Sequence, residues 1–138
     1  MADWNKNIIE EFRSNEGRVG GPFEGHTLLL LHHRGAKTGV ERVNPLACQS
    51  LPDGAFAVFG SKGGAPSHPD WYFNLKANPD AKVEAGTETH DVRARVAKDD
   101  EREEIWEKQK KIMPGFAEYE TRTSRKIPVV ILERVPQQ

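Results

Sequence analysis

One cysteine in 138 residues, Cys48, leaves no second thiol to pair with. An intramolecular disulfide framework is excluded, and a reducing compartment is the expectation. Long apolar runs are also missing. Runs such as Leu28 to Leu31 fall far short of the ~20 residues that cross a bilayer as a helix. The N-terminus, Met1-Ala2-Asp3-Trp4, carries no apolar signal-peptide stretch. Charge of one sign is lacking: Lys+Arg 20 against Asp+Glu 21 gives a net charge of −1. That disfavours a generally cationic binder of nucleic acid but leaves room for a local basic patch. Metal-ligand spacing is absent as well. The five histidines and Cys48 contain no HxH, HxxxH or CxxC, and adjacent His32 and His33 face opposite sides of a strand. No metal is expected.

What is present suffices for one modest core. Hydrophobic residues make up 36% and charged residues 30%, with 3 Trp and 6 Phe, too much apolar surface for a disordered chain. The length suits a single soluble, cytoplasmic domain spanning 1–138. Helical spacing of Trp4, Ile8, Ile9 and Phe12 predicts a first helix over about 4–15. A barrel over about 26–135 follows a glycine-rich loop. Leu28 to Leu31 are apolar on both faces, as a strand with neighbours on each side requires. Gly35 to Gly39 form a tight turn. Val40 to Ser50 resume as a strand whose Pro45 implies an edge, bulge or distortion. Ala55 to Phe59 return after Pro52-Asp53-Gly54. A short helix runs from His68-Pro69-Asp70-Trp71 to about Ala77.

Two further strands, Ala81 to Ala85 and Thr89 to Val96, form a hairpin around Gly86. Asp99-Asp100 is expected to cap a helix from Glu101 to about Ile112, with Ile105, Trp106, Gln109 and Ile112 on one face. A short helix carrying Phe116 and Tyr119 and a last strand, Ile127 to Val135, complete the chain. The expectation is mainly β (α+β): about six antiparallel strands in a sheet or barrel, with three or four short helices.

Nucleotide motifs fail on spacing. Gly35-Ala36-Lys37-Thr38 lacks the glycine directly before the lysine, and Gly17 to Gly21 lacks the dinucleotide fingerprint. Cys48, in a strand, reads as a small hydrophobe. Ser61 lacks G-x-S-x-G around it. Two glycine-bounded turns stand out instead. One holds Lys37 and Thr38, flanked by Arg34 and Arg42; the other holds Ser61 and Lys62 before Gly63-Gly64. Both follow strands expected to be adjacent. Exposed backbone N–H groups beside cations can cradle phosphate or carboxylate. Turn chemistry alone explains each loop taken singly. The aromatic segment Trp71-Tyr72-Phe73 can wall a planar cofactor or plug a barrel end, and periodicity does not choose.

The segments His32 to Gly39, Arg42-Val43-Asn44-Pro45-Leu46, Gly60 to Pro66, Pro69 to Pro79 and Ile127-Pro128-Val129-Val130 occur in an order that resembles the deazaflavin-dependent nitroreductase family. The likeness runs from about Phe12 to Glu133. It implies a split β-barrel like that of FMN-binding relatives, and coenzyme F-420, an 8-hydroxy-5-deazaflavin with an anionic phospholactyl-oligoglutamate tail. By that resemblance Lys37 and Arg42 meet the phosphate and tail, and Ser61, Lys62 and Gly63 form a second cradle. Pro45, Leu46, Trp71 and Asn74 lie near the ring, and the cofactor set also takes in Thr38, Asn44, Gly64, Pro69 and Asp70. The implied reaction is hydride transfer to a small planar acceptor: a quinone, an enone or other activated alkene, or a nitroaromatic. Ala47, Met113, Phe116 and Tyr119 match substrate positions that are tyrosine-rich in nitroimidazole-activating members. The Met/Phe lining fits an apolar quinone or enone better, and the proton donor is Tyr119 or water. Alternatives are a non-catalytic carrier of a flavin-type or apolar ligand, and an FMN-binding split-barrel oxidoreductase. Whether the barrel is a monomer or homodimer is open, as is peripheral membrane contact without stable insertion.

Replacing Lys37 or Lys62 by Ala is expected to weaken coenzyme F-420 binding by ~1.5–3 kcal/mol each, the strength of a charged hydrogen bond. Titration followed by tryptophan fluorescence measures this. Unchanged affinity in both variants removes the anion-cradle argument.

Overall fold

The structure, a computed structural model, describes residues 2–19, 27–52, 54–60, 68–123 and 126–135, with side chains from Lys6 on. The described elements are helix α1 (Ala2–Ser14), strands β1 (Leu28–Arg34), β2 (Glu41–Ser50) and β3 (Phe56–Phe59), and helix α2 (Asp70–Ala77). Strands β4 (Asp80–Ala85) and β5 (Glu88–Val96), helices α3 (Asp99–Ile112) and α4 (Gly115–Arg122), and strand β6 (Val129–Arg134) follow. The strands form a closed antiparallel barrel in the order β1-β2-β3-β6-β5-β4. Closure is made where Leu30, Leu31 and His32 lie opposite Glu84, Val83 and Lys82.

Side-chain alternation sorts the apolar residues into three sets. Leu29, Leu31, Cys48, Val58, Val83, Val92, Val130 and Leu132 fill the barrel interior, and α2 closes it with Trp71, Tyr72 and Leu75. On the outside of β1 and β2, Leu28 and Leu30 pack against Ile8 and Phe12 of α1. On the outside of β3 and β6, Ala57, Phe59, Val129 and Ile131 pack against Ile105, Trp106 and Phe116 of α3 and α4. The Trp106 indole N–H donates to Glu120 Oε2 at 2.7 Å and joins the last two helices. The chain leaving α1 runs so close to the β4–β5 turn that a Cβ on Gly17 (φ 93°) would sit 2.7 Å from Gly86 Cα. Only a residue without a side chain fits there.

Several expectations change. The first helix begins at Ala2 rather than near residue 4. The third begins at Asp99, not Glu101, with Lys98 at the cap position and no side-chain cap bond, so the Asp99-Asp100 cap is not formed. Ile112 is 46% exposed and leaves the buried face on which Ile105, Trp106 and Gln109 remain. The strands preceding the two glycine-bounded turns are not adjacent, because β2 runs between β1 and β3. The turn of residues 61–64 lies outside the described residues.

Pro45 has its edge. Cys48 N–H donates to Thr27 C=O at 3.0 Å, so every second pair along β1 and β2 exchanges backbone bonds, and Leu30 opposite Pro45 falls on an unbonded pair. The side of Pro45 that lacks an N–H therefore faces away from β1. There β3 pairs only with Cys48, Gln49 and Ser50. Among the described residues, no strand pairs with Glu41 to Ala47 on that side.

Phe12 is 1% exposed and anchors α1. Phe12→Ala is expected to cost about 3–5 kcal/mol of stability, read from the shift in a urea unfolding midpoint. A shift worth under about 1 kcal/mol, less than a typical buried methylene deletion, would mean that α1 is not part of the cooperative fold.

Candidate functional site

The turn after β1 is built by its own backbone. Gly35 N–H donates to Val40 C=O at 3.0 Å and Gly39 N–H to Gly35 C=O at 2.9 Å. Gly39 takes φ 70°, a left-handed conformation that favours glycine. Thr38 Oγ1 accepts from Val40 N–H at 3.3 Å. This geometry holds Lys37 and Thr38 out in solvent, with Arg42 exposed at the start of β2. Arg34 and Arg42 are exposed on strands that flank the turn, on opposite faces of the sheet.

That rim is tied to α2 by a buried polar chain. Ala36 N–H donates to Asn74 Oδ1 at 2.9 Å, and Asn74 Nδ2 lies 3.0 Å from His33 Nδ1. His33 Nε2 in turn lies 2.6 Å from Asn44 Oδ1. The direction of every bond follows from the first. Because Asn74 Oδ1 accepts from a backbone N–H, its Nδ2 end is the donor, and His33 Nδ1 must accept. The ring proton is then on Nε2 and donates to Asn44. Burial lowers the His33 pKa, the Asn44 bond opposes, and the nearby Arg42 charge lowers it further. His33 is therefore a neutral imidazole of fixed tautomer, 3% exposed.

His33 is the residue that sequence reasoning misses, since the residue pattern presents it only as a metal-ligand candidate. Its parity on β1, shared with Leu29 and Leu31, and its place opposite Arg42 on β2, are the available signals that it faces the barrel mouth. No cluster of metal-ligating side chains occurs among the described residues.

The candidate cofactor residues fall into distinct settings. Asn44 and Leu46 share the inner face of β2 with Arg42, while Pro45 lies on the outer face with Val43 and Ala47. Leu46 and Pro45 thus flank the open strand edge from opposite sides. Trp71, 5% exposed, sits in the interior core with Leu75, which realises the plug reading of the aromatic helix. Pro69 is buried ahead of α2, and Asp70 is exposed in its first turn. The amide groups of Asn74 are both engaged internally.

The candidate acceptor residues do come together. Ala47, Met113 and Tyr119 pack on the cluster containing Phe116 and Trp106. The Phe116 and Tyr119 rings are 5.4 Å apart, and Phe116 meets Phe59 edge-on at 5.5 Å. Ala47 also packs against the α1 cluster, so it lies where α1 and α4 converge on the outer face of β2. Cys48 is buried, and burial pushes its thiol up to about 12. It is no thiolate nucleophile near neutral pH. A separate cleft of about 470 Å³ opens beside His32, Arg34, Glu41, Asp80 and Lys82. Its charges are mixed, and none of the candidate cofactor residues lines it.

Among the described residues, the closed antiparallel barrel leaves Glu41 to Ala47 of β2 without a strand partner on one side, with a cationic turn at the rim and an apolar wall beside it, the architecture of a split barrel. The chain belongs to the F420H(2)-dependent quinone reductase family, whose model matches residues 4–134. An F420H(2)-dependent quinone reductase of Mycobacterium tuberculosis (strain ATCC 25618 / H37Rv) is 38% identical over 127 residues, covering 89% of this chain and 85% of that protein. A solved F420-H2 dependent reductase, FDR-A, is 42% identical with a TM-score of 0.70, covering 78% of this chain and 94% of its own. A second solved structure, described as a domain-swapped dimer, is 38% identical with a TM-score of 0.73, covering 96% and 98%. More distant barrels at 15–17% identity share the fold alone. The chain is thus an oxidoreductase with coenzyme F-420 as its cofactor. Among the described residues no helix is long and apolar enough to cross a membrane.

Proposed function

We propose that this protein transfers a hydride from reduced coenzyme F-420 to a quinone or activated enone, bound against the wall of Ala47, Met113, Phe116 and Tyr119. The observation that carries this reading is the meeting of that wall with the open edge of β2 at Ala47. When bound, the coenzyme supplies the hydride at C5. The chain supplies everything else. The cations of Lys37 and Arg42 suit the anionic tail. Asn44, with its Oδ1 held by His33, presents its Nδ2–H donors to ring carbonyls. The unpaired backbone side of residues 43–47 matches the polar edge of a planar heterocycle. The apolar wall excludes water and favours a flat, weakly polar acceptor.

Reduction of a quinone by a hydride leaves one oxygen to be protonated. In this reading Tyr119, half-buried at the wall, gives that proton from its hydroxyl and regains it from water. Ser61, Lys62, Gly63 and Gly64 complete the cradle in this reading. The protein acts as one domain in the cytoplasm, and the domain-swapped relative supports pairing with a second copy. Nucleic acid has no place in it.

Mixing the protein with reduced coenzyme F-420 and menadione is expected to restore the absorbance of the oxidised cofactor. Tyr119→Phe is expected to lower kcat by about 10²-fold or more while cofactor affinity holds. Tight binding without oxidation above the protein-free rate, across quinones, enones and nitroaromatics, would establish a carrier instead. A Tyr119→Phe kcat equal to wild type assigns the proton to water.

A further inference from the structure

We propose that His33 is a positioning residue that locks the two cofactor-contacting segments, the Gly35–Gly39 turn and α2, into one cradle, and that it does so only as the neutral imidazole. The inference rests on the assignment of those two segments to the cofactor site.

Donors and acceptors decide which state of His33 can make the link. With His33 neutral, all three bonds of the chain are satisfied: Ala36 N–H to Asn74 Oδ1, Asn74 Nδ2–H to His33 Nδ1, and His33 Nε2–H to Asn44 Oδ1. Protonation puts a hydrogen on Nδ1, so two donors then face each other across 3.0 Å. Turning the Asn74 amide over relieves that clash but sets its Nδ2–H₂ against the Ala36 N–H. Either way one bond is lost, and the lost bond is one that joins the turn to α2. The Asn44 bond survives, because Nε2 keeps its proton in both states. An Asn at position 74 therefore makes the link conditional, where an acceptor-only side chain would not.

Among the described residues, the side chain bonded to His33 Nδ1 is the Asn74 amide. The ring's two hydrogen-bond partners are the amides of Asn44 and Asn74. Arg42 of β2, Asp70 of α2 and His32 on its own strand act on it through their charges. Arg34, Glu41, Asp80, Lys82 and Asp91 stand around the adjoining cleft. The lowered pKa agrees with the neutral form. The sign follows: an unfolded histidine binds a proton as pH falls below about 6.5, while folded His33 resists until a lower pH. Acidification from that value downward thus removes stability, and the link itself breaks only at the lower pH where folded His33 takes up its proton.

The test joins a ligand-free readout to a binding one. In ¹⁵N NMR of the protein without cofactor near pH 7.5, His33 should show an unprotonated Nδ1 and a protonated Nε2. Asn74→Asp, whose carboxylate accepts from both Ala36 and Nδ1–H, should hold both nitrogens protonated at the same pH. Coenzyme F-420 affinity, followed by tryptophan fluorescence, should fall tenfold or more in the wild type, relative to His33→Asn, across the pH at which the same NMR measurement shows His33 Nδ1 taking up a proton. In that variant the side-chain carbonyl oxygen can accept where Nδ1 does, and it does not titrate. The His33→Asn protein, which also loses the Asn44 bond, should show no step in affinity across the same pH interval, whatever its affinity at pH 8. His33→Gln, which reaches Asn44 but not Asn74, should lose tenfold at every pH. The ligand's own titration is common to all variants and cancels in these ratios.

A protonated Nδ1 in the wild type, or a wild-type pH profile superimposable on that of His33→Asn, overturns the proposal. Lys37→Ala separates the two levels. If it weakens binding while the His33 variants track wild type, this inference alone fails. If Lys37→Ala binds as wild type does, the cradle assignment fails first and takes this inference with it.

Discussion

A four-residue strand, β3, lies beside a ten-residue strand, β2. That mismatch governs much of the molecule. The barrel closes around its other strands, so the interior packs as a sealed core, yet the first seven residues of β2 have a described strand partner only on the β1 side. Unpaired backbone at a sheet edge is usually a hazard, because it invites pairing with another chain. Here a proline sits at the middle of the open edge with its missing N–H on the unpaired side. This edge cannot continue a regular ladder. It can still accept a flat ligand.

Two different chemistries border that edge. On the inner face of β2, a chain of amides and one imidazole runs from Asn44 through His33 and Asn74 to the turn that carries Lys37. Each group is buried or half-buried, and each finds a partner, as a low-dielectric setting demands. On the outer face, Ala47 meets the aromatic cluster of α3 and α4. The polar side suits a tailed anionic cofactor, and the apolar side suits a planar acceptor.

Much of this is legible in the residue pattern. Double-sided burial of Leu28 to Leu31 predicts a strand with two neighbours, and β1 pairs with β2 and β4. Pro45 predicts an edge, a bulge or a distortion, and among the described residues its strand has an unpaired side there. Glycines at 35 and 39 predict the turn that holds Lys37 and Thr38. The motif order predicts the family, its barrel and its cofactor. Helix boundaries are less legible. Asp99 has the chemistry of a cap, but Lys98 holds the cap position and Asp99 follows it at a left-handed φ of 52°. Ile112 keeps the helical phase yet lies beyond the reach of the barrel wall.

Alternation, turns and family follow from residue order alone, since they depend on neighbours two to four residues apart or on motifs in succession. Residue order does not say which strands lie side by side or which polar atoms meet. β2 separates the two strands that lead into the glycine-bounded turns. Asn74 reaches across 38 positions to Ala36 and 41 to His33. Those contacts exist only once β1 has closed on β4 and α2 has dropped into the barrel mouth. A lone histidine beside a glycine turn thus reads as solvated or structural in the sequence. Its direction of hydrogen bonding, and with it its role, belongs to the tertiary structure, because a tautomer is fixed by what the two ring nitrogens face.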